Sequence, residues 1–140
     1  MNEKLKILII EDDPDFIEAT KLILEQKNYQ VLSAYDPSDG MKIAKKENPN
    51  VIILDVMFGE KSKDDGFDFA YKLRQDKKLA YIPILMLTAV NMEYPGFSFS
   101  PKTDGEYLPV DDFIDKPPEA DELLQKIEKL LLMKKSKWAK

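Results

Sequence analysis

Short apolar runs, separated by segments of mixed character, dominate the pattern of this chain. Three runs, at residues 5–10, 51–54 and 82–87, are continuous rather than alternating, which is typical of strands buried on both faces of a parallel sheet. A weaker run lies at 31–35, and we expect a fifth strand at 112–115. The pattern therefore predicts five strands, most of them deeply buried.

Helical periodicity occupies the intervals between these strands. Apolar side chains share one helical face around 16–24 and around 123–131, and shorter amphipathic segments lie at 38–46 and 67–76. Strands and helices alternate up to the fourth strand, after which comes a segment of undefined structure, the fifth strand and a last helix. This order predicts an α/β fold with a doubly wound, five-stranded parallel sheet flanked by helices, in one domain over 1–140.

Composition limits where such a domain works. The chain has 140 residues, 44% of them hydrophobic, but no apolar stretch of the roughly 18 residues that a membrane-spanning helix needs. It contains no cysteine, and its first residues do not resemble a secretory signal. We therefore expect a soluble, cytoplasmic protein that makes no contact with a membrane.

Charge bears on the class of partner. A net charge of -5 argues against direct nucleic-acid binding, which requires clustered Lys and Arg. The exception is a basic C-terminal tail at about 134–140, together with Lys126 and Lys129. We interpret these lysines as a solvated helix end whose cations complement the helix dipole.

Candidate chemistry lies at the predicted strand ends. The carboxyl ends of parallel strands meet at one edge of the sheet, where ligands of such folds bind. Because the chain has no histidine, the commonest general base and metal ligand is missing, and carboxylates, lysine and hydroxyls must act instead. Residues of this kind end or follow four of the strands: Glu11 and Asp12, Asp55, Thr88, and Lys116.

Carboxylates gathered at one edge repel one another unless they bind a cation. Mg²⁺ is the natural candidate, because it prefers oxygen ligands and is usually held by one or two carboxylates plus phosphate oxygens. We expect Asp12 and Asp55 to be direct ligands, Glu11 to act through water, and the backbone carbonyl of Met57 to supply a further oxygen.

A carboxylate beside Mg²⁺ can attack a phosphoryl group, and Asp55 is the candidate acceptor. Catalysis of phosphoryl transfer depends mostly on positioning and on neutralising the phosphoryl oxygens. Lys116 can supply a positive charge, while the Thr88 hydroxyl and the Ala89 N–H can donate hydrogen bonds. A purely structural interpretation stays open: the acidic run 11–15, which includes Pro14, could simply cap the first helix.

Four short motifs lie at the strand ends. In chain order they are Glu11-Asp12-Asp13 after the first strand, Asp55 after Val51-Ile52-Ile53-Leu54, Leu87-Thr88-Ala89, and Asp115-Lys116-Pro117. Together they resemble the receiver domain of two-component response regulators, a flavodoxin-like (CheY-like) fold. The resemblance covers nearly the whole chain.

The resemblance implies that Asp55 is phosphorylated by a histidine kinase or a phosphotransfer protein, as part of a phosphorelay. Since this chain lacks histidine, the donor must be another molecule. Such a domain is a phosphoacceptor rather than an enzyme in the usual sense, and it signals through protein–protein contacts. A homodimer, and either a stand-alone receiver or one excised from a longer protein, stay open.

Two segments depart from the family pattern. The loop after Asp55, at 56–64, is long and lacks the usual proline, although Asp65-Gly66 matches the start of the third helix. Prolines and glycines at 95–109 break any helical run where the family has its fourth helix, so we expect that helix to be short or irregular. Aromatic residues in the resulting 91–109 loop either anchor it to the sheet or form a partner surface.

The resemblance also implies a switch. Thr88 and Phe113 match the positions that move on phosphorylation, but Phe113 lacks the hydroxyl of the more usual tyrosine, so we expect the 91–109 loop to report the signal. Met57 and Val90 match positions that orient the hydrolytic water, and because both are apolar we expect slow self-dephosphorylation. The family further suggests a cis Lys116–Pro117 bond.

Two other functions stay open. A Mg²⁺-dependent phosphatase of the haloacid dehalogenase type also uses an Asp nucleophile, but it places a second Asp where this chain has Met57. A non-phosphorylated interaction module on the same fold would not need the five polar residues at the strand ends.

Overall fold

The structure, a computed structural model, describes residues 4–55, 65–89, 110–116 and 118–138. Its five strands are β1 Lys6–Ile10, β2 Gln30–Ala34, β3 Val51–Asp55, β4 Ile84–Ala89 and β5 Asp112–Lys116. Its helices are α1 Pro14–Glu25, α2 Pro37–Glu47, α3 Asp65–Gln75 and α4 Ala120–Trp138.

All five strands are parallel, in the order β2-β1-β3-β4-β5. This confirms the doubly wound α/β fold predicted from the alternation of strands and helices. Within the described residues, no helix is both long and apolar enough to cross a membrane.

Alternation along each strand divides the core into two apolar layers. In β1, Ile7 and Ile9 belong to a cluster that includes residues of α1 and α4, whereas Leu8 and Ile10 belong to one that includes residues of α2 and α3. All four side chains are completely buried, and each fully buried aliphatic side chain stabilises the fold by roughly 1.5–3 kcal/mol. The continuous apolar runs of the sequence therefore reflect burial on both faces of the sheet.

The helices begin at the aspartate and proline signals of the sequence. At α1, Oδ1 of Asp13 accepts hydrogen bonds from the N–H groups of Asp15 (3.0 Å) and Phe16 (3.4 Å), and Pro14 occupies the first turn. At α2, Asp36 caps the helix in the same way. The interpretation of the acidic run as a helix cap is therefore confirmed at Asp13.

A glycine lets α2 lie close to the sheet. A Cβ atom placed on Gly40 would lie 2.5 Å from Cδ1 of Ile10, well inside contact distance. The approach fixes α2 against the end of β1, immediately before the acidic residues.

Some element boundaries differ from prediction. The apolar run at 82–87 predicts a strand from residue 82, but the N–H of Ile82 donates to the carbonyl of Leu79 in a turn, and β4 starts only at Ile84. Pro83, between them, has no N–H to donate to a sheet. At the other end β4 continues through Ala89, two residues further than predicted, while α3 starts at Asp65, where the Asp-Gly pair indicated.

The last helix includes most of the basic tail. Since α4 continues to Trp138, residues 134–138 lie within it, in agreement with the interpretation of these lysines as a helix end. Lys126 is not simply solvated, because its Nζ lies 3.2 Å from Oδ1 of Asp112. The 91–109 loop, and with it the prediction of a short or irregular fourth helix, lies outside the described residues.

Candidate functional site

Parallel strands in register bring the predicted site residues to one edge of the sheet. Ile10 of β1 pairs with Leu54 of β3, so Glu11 and Asp55 each follow paired residues. Farther along the sheet, Thr88 pairs with Asp115, one residue before Lys116. Each polar group therefore lies within two residues of the carboxyl end of its strand, on β1, β3, β4 or the edge strand β5.

The three acidic residues converge. Carboxylate oxygens of Glu11, Asp12 and Asp55 all lie within 4.8 Å of one another. Glu11 is completely buried, Asp55 is 7% exposed, and Asp12 is exposed to solvent. Ionised carboxylates at such spacing repel one another strongly in a partly buried site.

This donor set fits Mg²⁺. It offers only carboxylate oxygens, which this hard cation prefers, and the exposed Asp12 leaves one side open to water or to a phosphate oxygen. Met57, whose carbonyl the sequence suggests as a further ligand, lies outside the described residues.

Lys116 is the cation that the described residues place among these carboxylates. Its Nζ lies 2.5 Å from Oε1 of Glu11 and 3.6 Å from Oδ2 of Asp55. The same Nζ lies 4.9 Å from the centroid of the Phe16 ring, a cation–π contact. One ammonium group thus contacts two of the three carboxylates, and the cluster keeps an excess of negative charge.

The surroundings of Glu11 shift the pKa of its carboxyl strongly. Its second oxygen, Oε2, accepts the N–H of Asp13 at 2.9 Å, which ties the side chain to the start of α1. Burial raises its pKa to about 7; the hydrogen bond from Lys116 opposes the shift, and the negative charge of Asp55 adds to it. Near neutral pH this carboxyl therefore exchanges a proton readily.

Lys116 responds in the opposite sense to its burial. Burial alone would lower its pKa, but the hydrogen bond to Glu11 and the charge of Asp55 outweigh that effect and raise it. The ammonium group therefore stays charged at neutral pH, beside the carboxylate of Asp55.

Thr88 is oriented by β5. Its hydroxyl donates either to Oδ1 of Asp115 at 3.2 Å or to the carbonyl of Ile114 at 3.4 Å. Phe113, on the same strand, is half-buried and packs against the cluster beside α2 and α3. The two predicted switch residues therefore lie on neighbouring strands, Thr88 on β4 and Phe113 on β5.

Several features of the site are not evident from the sequence. The residue pattern assigns Lys116 to a phosphoryl group, yet in the structure its shortest contact is with Glu11, 105 residues away along the chain. The contacts of Asp115 with Thr88, 27 residues away, and of Phe16 with Lys116 also join residues that are distant along the chain. A motif can indicate which residues lie at an edge, but pairing between distant residues leaves no local periodic signal. Val90 and Pro117 lie outside the described residues.

Comparison with known proteins agrees with this geometry. Residues 7–128 match the family model of the response regulator receiver domain. The DNA-binding dual master transcriptional regulator RpaA of Synechocystis is 36% identical over 126 residues, which make up 90% of this chain and 48% of RpaA. Protein PilH of Pseudomonas aeruginosa is 28% identical over 126 residues, covering 90% of this chain and 97% of PilH.

A solved structure extends the match to three dimensions. The signal receiver domain of a signal transduction histidine kinase from Syntrophus aciditrophicus superposes with a TM-score of 0.74 at 29% identity, covering 90% of this chain and 89% of that one. The chain spans about half the length of most of the curated relatives it matches, RpaA among them. In RpaA the match therefore covers only part of the relative, whereas in PilH it covers nearly the whole length.

Fold, strand-end motifs and comparisons agree on one family. The acidic cluster is typical of the Mg²⁺ site of receivers, whose phosphoryl groups come from histidine kinases. Such a domain is a phosphoacceptor module rather than a classical enzyme, which favours it over the phosphatase alternative. The chain belongs to the response regulator receiver domain family of two-component signal transduction.

Proposed function

We propose that this receiver accepts a phosphoryl group on Asp55 and passes the signal on through protein–protein contacts. One observation carries the proposal: Asp55 ends β3 with its carboxylate 3.6 Å from Lys116 and within 4.8 Å of two further carboxylates. No other described group of acidic residues combines this position at a strand end with a lysine partner.

In the proposed step, an oxygen of the Asp55 carboxylate attacks phosphorus. A new oxygen–phosphorus bond forms while the bond from phosphorus to the donor breaks, and the donor leaves with the electron pair. Lys116, held charged beside Asp55, offsets negative charge on the transferred group. The Thr88 hydroxyl and the Ala89 N–H are the proposed hydrogen-bond donors to its oxygens.

Asp12 and Asp55 are the proposed direct ligands of Mg²⁺, with Glu11 acting through water and Met57 through its carbonyl. When bound, Mg²⁺ neutralises the excess of carboxylate charge and the phosphoryl oxygens. Glu11 positions Lys116 through the 2.5 Å contact. It therefore aligns the site without contacting the phosphoryl group.

A histidine kinase or a phosphotransfer protein is the proposed donor. RpaA is named for DNA binding, but for this chain we propose signalling by protein contact in the cytoplasm, without direct contact to nucleic acid, in keeping with its net charge of -5.

The proposed readout links Thr88 and Phe113 to the 91–109 loop. The Thr88 hydroxyl has partners on β5, so a phosphoryl oxygen would compete for it and alter the contact of β4 with β5. Amide exchange in 91–109 should change when beryllofluoride and Mg²⁺ are added, and unchanged exchange would contradict this readout. The apolar Met57 and Val90 lead us to expect a long-lived phosphoryl group.

Phosphorylation is tested directly with acetyl phosphate and Mg²⁺, followed by intact mass spectrometry. The wild type should gain the mass of one phosphoryl group, and Asp55→Ala should gain none, since the attacking oxygen is removed. Asp39→Ala, which removes an exposed carboxylate on α2, is the matched control and should be labelled like the wild type. Labelling of Asp55→Ala, or none of the wild type, would refute the proposal.

A further inference from the structure

The face formed by α2 and α3 has a lysine-lined groove that includes none of the residues of the proposed phosphoacceptor site. A recess of about 630 Å³ is bordered by Lys42 and Lys45 of α2 and by Lys72 of α3, with Met41 and Phe69 as its apolar lining. Lys45 also borders a second recess of about 840 Å³, at the far ends of both helices. We call these two recesses together the α2–α3 groove.

The groove is basic in an acidic protein. Among the described residues, five lysines line it, the three named above together with Lys77 and Lys78, against two aspartates, Asp36 and Asp76. The formal sum of five positive and two negative charges is +3, whereas the whole chain carries -5. The local charge therefore has the opposite sign to that of the molecule and would attract an anionic partner.

Both aspartates are turned towards the backbone. Oδ1 of Asp36 accepts the N–H of Asp39 at 2.8 Å, at the cap of α2. Oδ1 of Asp76 accepts the N–H of Lys78 at 2.8 Å, in the turn after α3. These carboxylates hold local structure, while the side chains of Lys42 and Lys45 are exposed.

The shape of the groove favours a chain over a small ion. The eleven residues of α2 span about 16 Å at 1.5 Å per residue, and lysines border the groove from Lys42, midway along α2, to Lys77 and Lys78 in the turn after α3. About five residues of extended peptide, at roughly 3.3 Å each, would cover the same distance. A single inorganic anion would reach only part of it.

Its lining favours a peptide over a nucleic acid. Single-stranded nucleic acids bind largely by stacking their bases on aromatic faces. The aromatic ring among the described lining residues, Phe69, is only 2% exposed and cannot serve as such a platform. Met41, only partly buried, offers instead a contact for one aliphatic side chain.

We propose that the α2–α3 groove docks an acidic peptide segment of a partner protein, with carboxylates facing the lysines and an aliphatic side chain over Met41. The contact involves no residue of the phosphoacceptor site. It can be tested on unphosphorylated protein, so its failure and that of the phosphorylation proposal are distinguishable.

The test is a titration of isotope-labelled protein with a short peptide of repeating Glu-Glu-Leu units, followed by amide NMR. We expect shifts confined to α2, α3 and the turn after α3, and weaker binding at high salt, because the charges are exposed. Lys42→Gln/Lys45→Gln/Lys72→Gln should weaken binding about fivefold or more, as expected for the loss of three exposed ion pairs.

The matched control is Lys4→Gln/Lys27→Gln/Lys129→Gln, which removes the same charge from exposed lysines outside the groove and should bind the peptide like the wild type. Equal weakening of both triple variants, shifts spread over the whole protein, or no binding would overturn the proposal. So would preference for single-stranded oligothymidylate over the peptide at the same residues.

Discussion

Two ion-pair clusters lie at opposite ends of β5, and they are built differently. Before the strand, Arg74 of α3 pairs with Asp111, with 2.7 Å between Nη2 and Oδ2. At the end of the strand, Lys116 pairs with Glu11, with 2.5 Å between Nζ and Oε1. Both join β5 to distant parts of the chain, but they differ in their balance of charge.

The cluster before β5 is balanced and saturated with hydrogen bonds. Nη1 of Arg74 donates to the carbonyls of Ala80 (3.0 Å) and Ile82 (2.6 Å), while Oδ2 of Asp111 also accepts the N–H of Ile84 at 2.8 Å. One positive group meets one negative group, and Nη1 of Arg74 binds two backbone carbonyls. Such a cluster fixes the α3–β4 turn to the start of β5.

The cluster after β5 is unbalanced. Lys116 contacts Glu11 and Asp55, Asp12 lies beside them as a third carboxylate, and burial raises the pKa of Glu11 to about 7. Ionised Glu11 therefore destabilises the metal-free protein. The contrast indicates that the balanced pair stabilises the fold, whereas the unbalanced cluster has the excess negative charge that the proposed cation would neutralise.

The largest effect is expected at the balanced cluster. Arg74→Met should lower the free energy of unfolding by about 3 kcal/mol, because it leaves the largely buried Asp111 carboxylate without its guanidinium partner. Urea unfolding measures this loss. Lys77→Met, which alters an exposed residue beyond the same helix, is the control, and its free energy of unfolding should be almost unchanged. An Arg74→Met variant as stable as the wild type would contradict a structural role for the cluster.

The unbalanced cluster should behave in the opposite way. Glu11→Gln mimics the protonated carboxyl and should raise the free energy of unfolding of the metal-free protein by about 2 kcal/mol at pH 8. This is less than the roughly 3 kcal/mol to which a pKa raised from 4.5 to about 7 corresponds, because the variant also loses the ion pair with Lys116. A destabilised Glu11→Gln at that pH would contradict the account.

The pH dependence has a definite sign. Because the folded protein holds the Glu11 proton more tightly than the unfolded chain, that stabilisation is fully present below pH 4.5 and is lost as the pH rises through about 7. The stability of the wild type relative to Glu11→Gln should therefore fall across this window. Glu18→Gln, which alters an exposed glutamate of α1, should show no such trend relative to wild type.

The smallest effect is expected at the pair between Lys126 and Asp112, which lies on the outside of β5. Their charged atoms are 3.2 Å apart, but each side chain is about a quarter exposed, at 25% and 29%. Lys126→Ala should cost about 0.5 kcal/mol in urea unfolding, since solvent screens such pairs. If Lys126→Ala lowered the free energy of unfolding as much as Arg74→Met does, burial would not explain how much each ion pair contributes to stability.

The sequence predicts the fold and the residues of the site, but not the pairs that separate the two clusters. Continuous apolar runs determine β1 and β3 because burial on both faces leaves a local pattern. Arg74 and Asp111 are 37 residues apart, and each taken alone resembles an ordinary exposed charge. Their pairing follows from how α3 packs beside β5, which no local periodicity encodes.

Paramagnetic NMR with Mn²⁺ in place of Mg²⁺ tests most directly whether the unbalanced cluster holds a cation. Amide signals of Glu11 to Asp13 and of Asp55 should broaden at substoichiometric Mn²⁺, and excess Mg²⁺ should restore them. Signals around Arg74 and Asp111 should stay sharp. Broadening centred instead on the exposed Asp36 and Asp39 at the start of α2, or no broadening at the strand ends, would contradict the account.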